Sequence, residues 1–277
     1  MGQIRKPAVA GTWYPGSSSA LAAAVDAHLA RAHADIEGDL VAIVAPHAGL
    51  MYSGPVAAHA YQLLRGRVFD VVVLVGPSHF HAFDGVAAYA SGGFETPFGV
   101  ARVDEQCVAD ILAALPLAHA DESVHRREHS LEMQLPFVQR LAADVPIVPL
   151  LVGHQTAATA HALGDALAAA VRGRRALLVA STDLSHYHDA GTAGRMDGVV
   201  IDCVARIDAE GLQQALDHRP DHACGGGPTV AVMRAAQLLG AADARILNYA
   251  DSGDVSGDKT SVVGYLAAAI GRFGTSS

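Results

Sequence analysis

The sequence predicts an α/β fold: one domain over residues 1–277, a mostly parallel central sheet, and helices on both faces. Three observations carry this. Short apolar runs such as Leu40 to Ala45, Val71 to Val75 and Leu177 to Ala180 have the form of strands buried on both faces. Longer alanine-rich stretches alternate with them, as expected of helices covering a parallel sheet. No linker or internal repeat interrupts the alternation.

Taken in order, residues 1–16 read as an ordered loop carrying Pro7, Gly11, Trp13, Tyr14, Pro15 and Gly16. Ser17 to Ser19 offer an N-cap for a helix over Ala20 to Ala34. Leu40 to Ala45 is the first strand, and Pro55 to Leu64 a helix with Pro55 tolerated in its first turn. Phe69 to Val75 is the second strand and Gly85 to Ala90 an edge-like third. The stretch 92–99 is turn chemistry, and Asp104 to Ala114 a helix. In the polar stretch Ser123 to Pro136, the pairs His125/His129 and Glu128/Glu132 would each share a helical face. Leu131 to Leu141 continues as helix, kinked or restarted at Pro136. Val145 to Val152 is a strand, Thr156 to Val171 a helix, and Ala176 to Ala180 the central strand. Met196 to Ala209 and Gly211 to Leu216 are helical. A glycine-rich turn, Ala223 to Pro228, leads into a helix over Thr229 to Leu239. Arg245 to Ala250 is a strand, Asp251 to Asp258 a loop, and Val262 to Ile270 a last strand or helix.

Composition narrows the function classes. With 51% hydrophobic and 17% charged residues, a sizeable core can be buried and the composition argues against disorder. A net charge of -9 without a basic stripe argues against nucleic-acid binding. Three cysteines, Cys107, Cys203 and Cys224, give no disulfide framework and point to a reducing cytoplasm. The first residues lack the apolar core of a signal peptide, and no apolar run reaches membrane-spanning length.

The chemistry gathers where strands stop. His47, His79 and His186 each follow an apolar run within a few residues. In a parallel sheet they would converge on the carboxyl edge, where ligands of open α/β sheets bind. Imidazole suits zinc, copper, iron and nickel, and two histidines with one further protein ligand leave coordination positions open. Cys224 is the candidate third ligand: a glycine-rich turn before a helix favours thiolate. The competing reading is a small residue in a turn. Asp183, three residues before His186, either orients that imidazole as a general base or caps loop N–H groups. His129 with Glu132 could orient a ligand from behind. Cys107 and Cys203 read as core, His81 and His188 as rim. His28, His33, His119, His125 and His161 read as solvated.

Seven motifs then carry a family resemblance. PAVAGTWYPG, APHAGLMYSGPVAAHAY, GPSHF, ETPFG, EHSLEMQLPF, STDLSHY and GDKTSVVGYLAAAI resemble, in order and spacing, the Memo family. Its prokaryotic members are called AmmeMemoRadiSam system protein B. The resemblance implies a fold similar to class III extradiol dioxygenases of the LigB type, which hold non-haem Fe(II) with two histidines and a glutamate. Carried over by motif, His47 and His79 are the metal histidines, and Cys224 stands at the glutamate position. Asp183, His186 and His129 are implied as catalytic, and Trp13 and Tyr52 as lining the substrate cleft.

Two expectations follow. One is an Fe(II)-dependent oxidoreductase, an extradiol-type dioxygenase acting with dioxygen on a catechol-like or other small enolisable substrate. The other is a copper- or iron-binding, or peptide-binding, protein without turnover that serves as a redox or signalling partner. Thiolate ligation moves preference toward copper(I) or zinc. The family's prokaryotic name adds a role beside a radical SAM or AMMECR1-type protein. A homo-oligomer is compatible with the sequence.

Overall fold

The computed structural model describes residues 2–33 and 35–274. The chain runs β1 (Ile4–Arg5), α1 (Ser18–Leu29), β2 (Gly38–Ala45), α2 (Leu50–Gln62), β3 (Val71–Pro77) and β4 (Val86–Ala88). It continues with β5 (Gly93–Thr96), β6 (Gly99–Arg102), α3 (Glu105–Ala114), β7 (Ala118–Ala120), α4 (Leu135–Leu141), β8 (Ile147–Val152), α5 (Ala157–Ala170) and β9 (Ala176–Ser181). The last part is β10 (His186–His188), α6 (Ala190–Ala205), α7 (Ala209–His218), α8 (Gly226–Leu238), β11 (Asp243–Asp251), α9 (Gly253–Ser256) and β12 (Val262–Phe273).

The main sheet is mixed, in the order β10-β12-β2-β9-β3-β8-β4-β7, with β11 beside β12. Its centre is parallel: β2 pairs β9, β9 pairs β3, and β3 pairs β8. β12 and β4 flank that centre in antiparallel pairing. β3 and β8 are buried along their whole length, as the unbroken apolar runs require. α8 packs on β2, β9 and β3 with α5 behind it; α2 packs on β2 and β12 with α1 and α4 behind it. β1, β5 and β6 form a separate small sheet. Among the described residues, no helix is long and apolar enough to cross a membrane.

Several local expectations are corrected. The helix expected to Ala34 ends at Leu29, capped by Ala30, and Ala34 itself lies outside the described residues. α2 begins five residues earlier than Pro55; the proline is inside the helix and deprives only the Met51 carbonyl of its partner, where the chain is exposed to water. The 92–99 stretch is a hairpin of β5 and β6 rather than turn alone. A short helix, α9, interrupts the 251–258 loop, and the closing element is a strand. Residues 123–130 form no helix, so His125/His129 and Glu128/Glu132 share no helical face. The cause is Glu128, whose Oε1 accepts the N–H groups of both His129 and Ser130 at 2.8 Å and coils the chain around its carboxylate.

Strand register positions the site. Ala45 of β2 lies opposite Ser181 of β9, and Val75 of β3 opposite Ala180. The three strands therefore stop side by side. His47, Asp183 and His79 each follow two residues beyond a strand end, with Asp183 on the middle strand.

Candidate metal centre

His47, His79 and Cys224 each offer one ligand atom, and these atoms lie within 4.8 Å of one another. His47 is 1% exposed. Its Nε2 stands 3.2 Å from Cys224 Sγ, and its Nδ1 2.9 Å from Ser181 Oγ. A donor–acceptor count assigns the tautomer. Gln134 Oε1 accepts from Tyr61, so its Nε2 donates both to Pro46 O and to Ser181 Oγ. The Ser181 hydroxyl spends its single proton on Ser130 O at 2.7 Å. It must then accept from His47 Nδ1–H, which leaves the Nε2 lone pair facing Cys224. Burial, reinforced by the neighbouring His79 and His129, holds this imidazole neutral by lowering its pKa well below the usual range.

Glu128 braces His79 with both carboxylate oxygens. Oε2 accepts the His79 N–H at 2.6 Å and Oε1 meets His79 Nδ1 at 2.9 Å. The second histidine thus also presents Nε2. A carboxylate behind a ligating imidazole is the usual support of a metal site. Burial works to raise the Glu128 carboxyl, but the His79 ring and backbone bonds and the Ser130 N–H outweigh it and hold its pKa at about 2.

Cys224 arrives from the turn before α8. Its N–H donates to Asp183 O at 3.2 Å, and its Sγ accepts from Asp183 N at 3.3 Å. Gln155 Nε2 holds the Cys224 carbonyl at 2.7 Å, and Gln155 Oε1 accepts from Gly227 N at 2.7 Å. The turn approaches β9 so closely that a Cβ on Gly225 would stand 2.3 Å from Ser181 O. Only glycine fits there. Burial, then the charge of Asp183, pushes the thiol pKa up, so in the absence of a cation the thiol donates to His47 Nε2.

The donor set fits a soft or borderline metal. Two imidazole lone pairs and a thiol meet, and tetrahedral N/S ligation places donors roughly 3.5 Å apart, close to the 3.2 Å found between His47 and Cys224. Of its two readings, Asp183 takes the one that caps loop N–H groups. Its Oδ1 accepts the N–H groups of His47 at 2.7 Å and Ala48 at 3.3 Å, so it fixes the His47 loop rather than the His186 ring. Burial raises its pKa to about 7 against those two bonds. His186 Nδ1 instead donates to Leu184 O at 2.7 Å, because β10 turns away to pair with β12. It stands outside the ligand cluster, near enough for His79 to disfavour its charge.

His129 stacks on His79 (ring centroids 4.6 Å), and Trp13 packs against it at a tilt of 57° (4.3 Å). Burial lowers its pKa to about 4. The expected His129–Glu132 pair does not form. Glu132 is bound instead by Arg5 at 2.6 Å, by the N–H groups of Ala8 and Val9, and by the Tyr14 hydroxyl. That buried network clamps the N-terminal segment and thereby presses Trp13 onto His129. Tyr52 is half-buried at the start of α2. Burial, then the nearby Asp183 carboxylate, pushes the pKa of the Tyr265 hydroxyl on β12 up. His125, expected to be solvated, is 1% exposed between Tyr89 and Phe94.

Four supports, Glu128, Ser181, Gln134 and Gln155, carry no role in the sequence pattern. Ser181 was visible as a polar residue ending a buried strand, and Glu128 as the residue before His129; nothing local marks Gln134 or Gln155.

The model of the Memo-like protein family matches residues 5–269. The chain belongs to the Memo-like family. A MEMO1 family protein of Methanothermobacter thermautotrophicus is 38% identical over 277 residues, covering 95% of this chain and 98% of that protein. One from Methanosarcina mazei is 38% identical over 274 residues, covering 97% and 99%. One from Nitrosopumilus maritimus is 34% identical over 270 residues, covering 95% and 98%. The Memo-like chain also shares its fold with an uncharacterized protein of Escherichia coli K12. That crystal structure matches with a TM-score of 0.53 at 19% identity, over 82% of this chain and 99% of the other.

Proposed function

We propose that this Memo-like chain is a metal-dependent oxidoreductase, with Fe(II) held by His47, His79 and Cys224, acting in the extradiol manner on a catechol-like or other small enolisable substrate with dioxygen. The observation that carries the reading is the pairing of two imidazole Nε2 atoms, each fixed by a hydrogen bond at Nδ1, with one thiol within 4.8 Å. A bound Fe(II) would supply Lewis acidity and one-electron redox chemistry at its open positions.

The chain's own groups divide the remaining work. Glu128 raises the basicity of His79 and fixes its ring. His186 carries its proton on Nδ1, bonded to Leu184 O, so its Nε2 is free to take a proton from a substrate hydroxyl. Its pKa, lowered by burial, keeps it unprotonated near neutrality. His129, also neutral, offers a second proton acceptor beside His79. Trp13 and Tyr52 wall the space in front.

A second reading rests on Cys224. A thiolate in place of a carboxylate softens the site and favours copper(I) or zinc, which suits a redox-metal carrier without turnover. Protein purified anaerobically, reconstituted with Fe(II) and assayed for oxygen uptake against a catechol panel separates the two. Uptake that tracks substrate supports the oxidoreductase; tight copper binding with no uptake supports the carrier.

A further inference from the structure

Beside the metal centre lies a groove of about 830 Å³ between residues 11–15, α1 and the start of α2. Trp13, Pro15, Ala24, Ala27, Leu50 and Met51 supply apolar side chains to its wall. None of the lining residues is Asp, Glu, Lys or Arg. His28, the one lining imidazole, is held toward neutrality by burial. The volume falls in the range that takes drug-sized ligands, about 300–1,000 Å³, and is several times what one catechol ring fills.

The groove and the metal centre share a boundary. Trp13 packs against His129 on the metal side and lines the groove on the other. Gly49 and Leu50, which line the groove beside Tyr52, follow directly on the His47–Ala48 turn that Asp183 holds, and Leu50 N–H donates to Trp13 O at 2.8 Å. Trp13 is 38% exposed and Met51 63% exposed, so apolar surface remains for an occupant to cover. We propose that this groove is the subsite for an uncharged alkyl or aryl tail, and that the ligand of the metal centre is an amphipathic molecule: a small metal-chelating head carrying a tail of several carbons. The proposal rests on the metal-centre reading for the head and on the groove for the tail. Trp13 and Tyr52 stand where the two parts join.

The test uses the only tryptophan in the chain, Trp13, as its own reporter. Trp13 emission is followed during anaerobic titration with 4-alkylcatechols from methyl to octyl on Fe(II)-reconstituted protein, and with straight-chain alkanols on metal-free protein. The expected result is an apparent Kd that falls about fourfold per methylene in both series until the groove is filled. Ala27→Phe, which fills the groove from the surface of α1, and Ala24→Phe flatten both series. Their melting temperatures check that they are folded. A flat series in the wild-type chain, or a chain-length dependence untouched by both variants, overturns the groove. Metal uptake with flat series rejects the groove and leaves the metal centre standing. A steep alkanol series in protein that takes up no metal upholds the groove and rejects the metal reading.

Discussion

Replacing Glu128 with glutamine tests the support of the centre most directly. The carboxylate accepts His79 Nδ1–H, His79 N–H, His129 N–H and Ser130 N–H. Folding lowers its pKa from the ordinary 4.5 to about 2. At 1.36 kcal/mol per pH unit this gap corresponds to about 3 kcal/mol of stability carried by the ionised form. A depressed carboxylate contributes fully above pH 4.5 and loses its contribution as pH falls through about 2. Glu128→Gln is therefore expected to lose about 3 kcal/mol in urea unfolding at pH 7, with wild type and variant converging as pH approaches 2. The amide also brings an NH2 group against donors. Where it faces His79, the ring must switch its proton to Nε2, which removes the lone pair aimed at the metal. Metal affinity, read by competition with a chromophoric chelator, should fall about 10- to 100-fold. Affinity within twofold of wild type, together with a stability change under about 0.5 kcal/mol, would show that Glu128 does not brace His79.

Three further outcomes are expected. His47→Ala abolishes stoichiometric metal in protein purified without oxygen, whereas His186→Ala retains metal and lowers turnover; unchanged metal content in the first variant rejects the ligand assignment. Ser181→Ala frees His47 Nδ1 from its acceptor and costs roughly tenfold in metal affinity, read by the same chelator competition, while a variant indistinguishable from wild type removes the tautomer argument. His125 is buried, and its pKa is lowered from 6.5 to about 3, first by desolvation and then by Arg5. Its contribution to stability is whole above pH 6.5 and is lost as pH falls toward 3. His125→Phe should flatten the stability profile in that window, since Arg5 bonds only the backbone carbonyl there; an unaltered profile counts against the assignment.

The four central strands, β2, β3, β8 and β9, their parallel pairing and the edge at which chemistry gathers were all legible in the residues alone. The reason is short-range. An apolar run dictates burial on both faces, and a histidine two residues past its end has little freedom of position, as with His47 after Ala45 and His79 after Pro77. Cys224 was legible as a candidate, but its distance from His47 was not, since 177 residues separate them. The direction of the polar groups, by contrast, is set by packing between distant segments. Asp183 can face either its following loop or the neighbouring strand's loop, and the free N–H groups of His47 and Ala48 settle that choice. Glu128 and Glu132 are alike in sequence and four residues apart. One braces His79 and the other is taken by Arg5, because a carboxylate pairs with whichever donors the packed chain brings within about 3 Å, and residue spacing carries no record of that.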